Sequence, residues 1–110
     1  MTTHRKRSIE VPGVSHGAAP IPMGSRVGNT IFTSGIMGKD PATDKLAVDA
    51  ADQARFAFQH LKSIVEIGGG TLADIGRVTV YIKDNSVREF INAQWVAMFP
   101  DPHDRPARHT

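Results

Sequence analysis

The sequence predicts an α+β domain, a mixed β-sheet with two helices packed on one face. Two segments of helical spacing, residues 49–67 and 87–99, enclose a strictly alternating segment, residues 77–83. Extended runs before the first helix and after the second give the order strand, strand, strand, helix, strand, helix, strand. Helices interleaved with strands in this way form one layer on a sheet. The 110 residues, 40% of them hydrophobic, suffice for one domain (1–110) with a single core.

The elements follow in chain order. The basic run His4-Arg5-Lys6-Arg7 reads as a solvated terminus or an edge strand. Residues 12–24 hold three prolines and three glycines and read as a loop. Gly28-Asn29 predicts a hairpin, with one strand ending near Val27 and the next over 30–34. Residues 35–44 read as irregular. In the first helix Ala50, Ala54, Ala57, Phe58, Leu61, Ile64 and Val65 share a face, and its small residues let it lie close on a sheet. Gly68-Gly69-Gly70 stops it. In the alternating strand, Val78, Val80 and Ile82 point one way and Thr79, Tyr81 and Lys83 the other. Ser86, with Glu89 three residues on, predicts the cap of the second helix. That helix should bury Val87, Phe90, Ile91, Gln94 or Trp95, and Met98, and Pro100 ends it. Pro106, with a fixed φ and no N–H, suits the start of a strand through Ala107, Arg108, His109 and Thr110. Helices on one side leave the other face of the sheet to be covered, which further copies of the chain can do.

Composition narrows the function. There is no cysteine, hence no disulfide framework and no thiolate nucleophile. A formal charge of +2 gives no case for a nucleic-acid partner, and no aromatic-basic platform for RNA is present. No run approaches the roughly 20 apolar residues of a membrane span, so a cytoplasmic protein with no membrane partner is expected. Phosphate loop, dinucleotide fingerprint, zinc-protease helix and nucleophile elbow are all missing. His4, His16, His60, His103 and His109 lack ligand spacing, so no metal site is expected.

What remains is a small polar set. Arg108 and Thr110 share one side of the last strand, His109 taking the other. A guanidinium on a rigid strand can grip a carboxylate with two parallel hydrogen bonds; a solvated arginine is the alternative. Ser34-Gly35, at a strand-to-loop junction, offers a hydroxyl and a backbone N–H to a ligand, or simply makes a turn. Asn92 sits mid-helix, where asparagine is mildly unfavourable, so it is exposed or its amide is used.

The stretches VGNTIFTSG (27–35), Gln53-Ala54, GRVTVYIKD (76–84), INAQWVAMF (91–99) and RPARHT (105–110) together resemble the Rid (YjgF-like) family of enamine/imine deaminases. The resemblance implies a chorismate-mutase-like fold, a homotrimer with sites in clefts between subunits, and no cofactor. It implies hydrolysis of reactive enamines or imines, such as 2-aminoacrylate, to a keto acid and ammonia. Arg108 is then the substrate's carboxylate anchor, Asn92 a second catalytic group, and Ser34, Gly35 and Thr110 the substrate-binding groups. Family members continue into a final strand with a glutamate that positions water, a segment that would follow Thr110. Ile21 stands where the family often has a tyrosine, and Arg88 where it often has an apolar or aromatic residue. The competing expectation is a trimeric carboxylate-binding or chaperone-like module without catalysis.

Overall fold

The computed structural model describes residues 6–110, so His4 and Arg5 of the basic run lie outside the described residues. Strands β1 (Ser8–Ile9), β2 (Gly24–Val27) and β3 (Thr30–Thr33) form an antiparallel sheet in that order. Lys6 and Arg7 are exposed beside it, and the Arg7 carbonyl accepts from the Arg26 N–H at 2.8 Å, as an edge strand would. Val27 pairs with Thr30 across the Gly28-Asn29 turn, as the sequence predicts. A hairpin of β4 (Lys39–Asp40) and β5 (Lys45–Leu46) follows, its first strand and turn within the stretch read as irregular and its second strand just beyond it. Helix α1 spans Ala50–Ile67, and β6 (Arg77–Thr79) pairs in parallel with β7 (Ala107–His109) across helix α2 (Arg88–Met98). Antiparallel and parallel ladders with two helices make the α+β fold expected, but the strands are distributed over three separate sheets.

The core forms where α1 meets the first sheet. Ile64 is fully buried among Ile9, Val11, Val14 and Met23, with Ile31 and Ile36 packed against them. Ala54, Phe58 and Val65 of the expected face are also buried. Gly38 is needed for the close approach of the β4 end: a Cβ there would overlap the Gln53 backbone of α1. The glycine run ends α1 as a Schellman cap. Gly70 N–H donates to the Val65 carbonyl at 2.8 Å and Gly69 N–H to that of Glu66 at 3.0 Å, with Gly69 left-handed at φ 96°. Arg26 reaches from β2 to the Gly68 carbonyl at 2.8 Å, bringing a cation to the negative end of the helix.

The second helix departs from expectation. A 3-10 turn, Asn85–Val87, leads into α2, and the capping acceptor is the Asp84 carboxylate, which receives the Ser86 N–H at 2.9 Å and the Ser86 hydroxyl. Ser86 is thus a donor to the cap. No residue of α2 is fully buried: Trp95 is half-buried, with Phe99 edge-on at 4.9 Å. The helix packs against α1 but lies at the margin of the core.

Candidate functional site

The parallel ladder fixes Arg108. It sits opposite Val78, flanked by the pairs Arg77–Ala107 and Thr79–His109. Bonds from Ala107 N–H to the Gly76 carbonyl (3.0 Å) and from Val80 N–H to the His109 carbonyl (2.7 Å) extend the ladder at both ends. Ala107 and His109 are exposed, whereas Arg108 and Thr110 are half-buried, as alternation requires. The Arg108 side chain meets α2: its Nη2 donates to Asn92 Oδ1 at 2.6 Å, and its guanidinium lies 5.1 Å from the centre of the Trp95 ring. One donor of the fork is occupied, and a guanidinium has five. Among the described residues the ion pairs are Lys39–Asp44 and Arg55–Asp52, so no carboxylate claims Arg108.

Residues 88, 92, 95 and 99 recur at one-turn spacing, so Arg88, Asn92, Trp95 and Phe99 share a face of α2. A cleft of about 500 Å³ opens between the ends of β6 and β7 and the start of α2; Arg108 is not in its lining, but Thr110, two residues further along the same strand face, is. Thr110, Tyr81, Lys83, Asp84, Asn85 and Arg88 line it. The Asp84 carboxyl is held below its ordinary range by the Ser86 hydroxyl and then by the Ser86 N–H.

Ser34 and Gly35 stand apart from this group, at the end of β3. The Ser34 hydroxyl donates to the Pro22 carbonyl at 2.6 Å and its N–H to that of Met23 at 3.0 Å, which ties the 12–23 loop to the strand. His16 supports the same junction. Its Nε2 donates to the Gly35 carbonyl at 2.9 Å, and its Nδ1 is buried and meets no partner among the described residues. The loop is anchored further by Asp44, which accepts from Ser15 N–H at 2.9 Å and from the Ser15 hydroxyl at 2.5 Å. Those two bonds, the hydroxyl's first, and then Lys39 hold the Asp44 carboxyl below its ordinary range against some desolvation. Asp44 is left-handed at φ 58°.

The structure thus brings Arg108 and Asn92 together, with Thr110 next along the strand face, while no hydrogen bond among the described residues joins them to Ser34 or Gly35. Sequence reasoning missed His16, for which the only local signal is its place in a glycine-rich loop. No group of three or more His, Asp or Glu side chains suited to a metal ion occurs among the described residues, and no helix there is long and apolar enough to cross a membrane.

Comparison with known proteins identifies the family and the fold. The family model described as Endoribonuclease L-PSP matches residues 18–110. A 2-iminobutanoate/2-iminopropanoate deaminase of Escherichia coli is 33% identical over 95 residues, covering 86% of this chain and 74% of the relative. Crystal structures of RidA from an Antarctic Psychrobacter (TM-score 0.82, 31% identity) and of Escherichia coli TdcF with bound serine (TM-score 0.81, 30% identity) superpose on 94% of this chain and 83% of theirs.

Proposed function

Because the chain belongs to the YjgF/RidA family, that of the Endoribonuclease L-PSP model, we propose that it hydrolyses reactive enamine or imine acids to keto acids and ammonia. The observation that carries this reading is Arg108, a rigidly mounted guanidinium with Asn92 on one donor, Trp95 under its plane and no carboxylate of its own. A 2-imino acid supplies that carboxylate, and a relative's structure with bound serine, itself a carboxylate, supports the anchor. Once anchored, the enamine tautomerises to the imine. Water then adds to the C=N carbon, and the carbinolamine expels ammonia to leave the keto group. Each step needs orientation and charge stabilisation rather than a strong nucleophile. Arg108 holds the carboxylate, Thr110 and the Gly35 N–H orient the reacting end, and the Asn92 amide positions both Arg108 and the nitrogen.

The working form in this reading is a homotrimer with clefts between subunits, which brings the Ser34–Gly35 junction of one copy to the Arg108 group of another. Phe32, 56% exposed, and Val27, 58% exposed, supply apolar surface on the first sheet for such an interface. Phe32→Lys is expected to yield a smaller species in sedimentation. Ile21 is half exposed and has no hydroxyl, which favours a second reading, a carboxylate-binding module without chemistry.

The test is ammonia release from freshly generated 2-aminoacrylate and 2-iminobutanoate. Arg108→Ala and Arg108→Lys should both lose about 2–4 kcal/mol of transition-state stabilisation, roughly 30- to 1,000-fold in rate, because an ammonium cannot reproduce the fork. Activity equal to wild type in both variants would remove Arg108 from the mechanism. A wild type inactive on every imine tried would leave the binding-module reading.

A further inference from the structure

The cleft beside Arg108 contains more positive charge than one carboxylate needs. Arg88 and Lys83 both line it, next to Thr110. Arg88 spends one nitrogen on Asn85 Oδ1 at 3.2 Å, and neither cation forms an ion pair among the described residues. Asp84 is the one acid in the lining; it keeps its charge while its Oδ1 accepts the Ser86 N–H and hydroxyl, and it pairs with neither cation, so the two cations outnumber it. Arg88 precedes Asn92 by four residues on α2, and a helix rises about 6 Å over that interval. Asn92 marks the position of the Arg108 guanidinium, so the structure offers two forks about one turn apart with a cleft between strand ends and helix alongside.

We propose that the substrate is a dicarboxylate: a 2-imino acid whose first carboxylate sits on Arg108 and whose second, a few bonds away, sits on Arg88 and Lys83. This rests on the imine-hydrolase reading for its chemistry, though not for its recognition. Arg88, half-buried and tethered to Asn85, with the exposed Lys83 beside it, disfavours an apolar tail, which would leave the guanidinium partly desolvated and unpaired. An acidic tail satisfies both and gives a second pair of parallel hydrogen bonds. Arg88 is therefore a specificity-determining residue.

The experiment compares 2-iminoglutarate and 2-iminosuccinate, generated in place from glutamate and aspartate by amino-acid oxidases, with 2-iminobutanoate. The wild type should favour the dicarboxylates in kcat/KM by about tenfold or more. Arg88→Leu should cut that preference by about 10- to 100-fold, the usual worth of a charged hydrogen bond, and Lys83→Gln by less. Leucine is a good helix former, so α2 should persist, and circular dichroism checks it. A wild type that favours 2-iminobutanoate overturns the proposal, as does Arg88→Leu slowing all three substrates equally. If no imine is hydrolysed, the deaminase reading fails separately, and calorimetry with 2-oxoglutarate and 2-oxobutanoate decides recognition. Tighter 2-oxoglutarate binding that Arg88→Leu abolishes supports it; equal binding of the two refutes it.

Discussion

Trp95 joins the packing of α2 to Arg108, and replacing it separates the two. A fully buried tryptophan cut to alanine costs about 3–5 kcal/mol. Trp95 is only half-buried, so removing its apolar area should cost about 2 kcal/mol. Losing the edge-on contact with Phe99 at 4.9 Å adds about 1 kcal/mol. The guanidinium at 5.1 Å adds about 0.5 kcal/mol at an exposed site. A total of about 3.5 kcal/mol corresponds to a melting temperature lower by roughly 14 °C in a domain of this size. Trp95→Phe keeps an apolar ring in the same place and should lose only about 1 kcal/mol. Urea denaturation at one fixed protein concentration is the assay, since assembly makes stability concentration-dependent. Trp95 is the chain's single tryptophan, so the variants must be followed by circular dichroism rather than indole fluorescence. Trp95→Ala should also weaken imine hydrolysis, by freeing Arg108, more than Trp95→Phe does. An alanine variant that melts with the wild type yet loses ligand binding would refute the reasoning, because the ring would then be a ligand platform and not a wall.

Three further outcomes are expected. Gly38→Ala, whose new methyl meets the Gln53 backbone, should cost about 2 kcal/mol or more in urea denaturation; unchanged stability would mean that β4 can move off α1. Asp44 titrates below its ordinary range in the folded protein, so its carboxylate stabilises the fold above the unfolded pKa near 3.9, and that contribution is lost as pH falls through the lower folded value. The melting temperature of Asp44→Asn should therefore fall less steeply between about pH 4 and pH 2 than that of the wild type, and Asp84→Asn, shifted the same way, should show a similar flattening. His16→Ala removes the donor to the Gly35 carbonyl and should lower kcat/KM by about tenfold with the fold retained, while His16→Gln, which keeps an N–H donor, should recover part of it; an alanine variant with wild-type kcat/KM would exclude His16 from the site.

The parts of the fold legible in the sequence are those held by short-range periodicity. Helix α1 announces itself because Ala54, Phe58, Ile64 and Val65 must all face one core, and its glycine stop works through bonds spanning only a turn. The β4–β5 hairpin gave no such signal. Its strands are two residues each, and its turn uses a left-handed aspartate where a glycine would have been conspicuous. The Ser15–Asp44 clamp that fixes it spans 29 residues, a separation at which no periodicity can register. The start of α2 is obscure for a different reason: the side-chain cap belongs to the 3-10 turn before it, and α2 itself has none. Asp84 and Ser86 are both good capping residues two positions apart, and which one accepts depends on the 3-10 turn between them.

The same limit explains what the sequence revealed of the site. The spacing of Phe90, Ile91, Trp95 and Met98 marks an apolar helix face, and apolar faces are ordinarily core. Yet α2 has no fully buried residue, and one of its faces carries Arg88 and Asn92 toward the N-terminal end and Trp95 and Phe99 toward the other. The aromatic half secures the helix through the Trp95–Phe99 contact, whereas the polar half can meet only β7 and the cleft. A helix that buried all of this face would have to desolvate Arg88 and Asn92 without partners, at a cost of several kcal/mol. Its marginal position in the packing is therefore what leaves Arg108 a neighbour that orients it without neutralising it. That is the condition a carboxylate anchor requires.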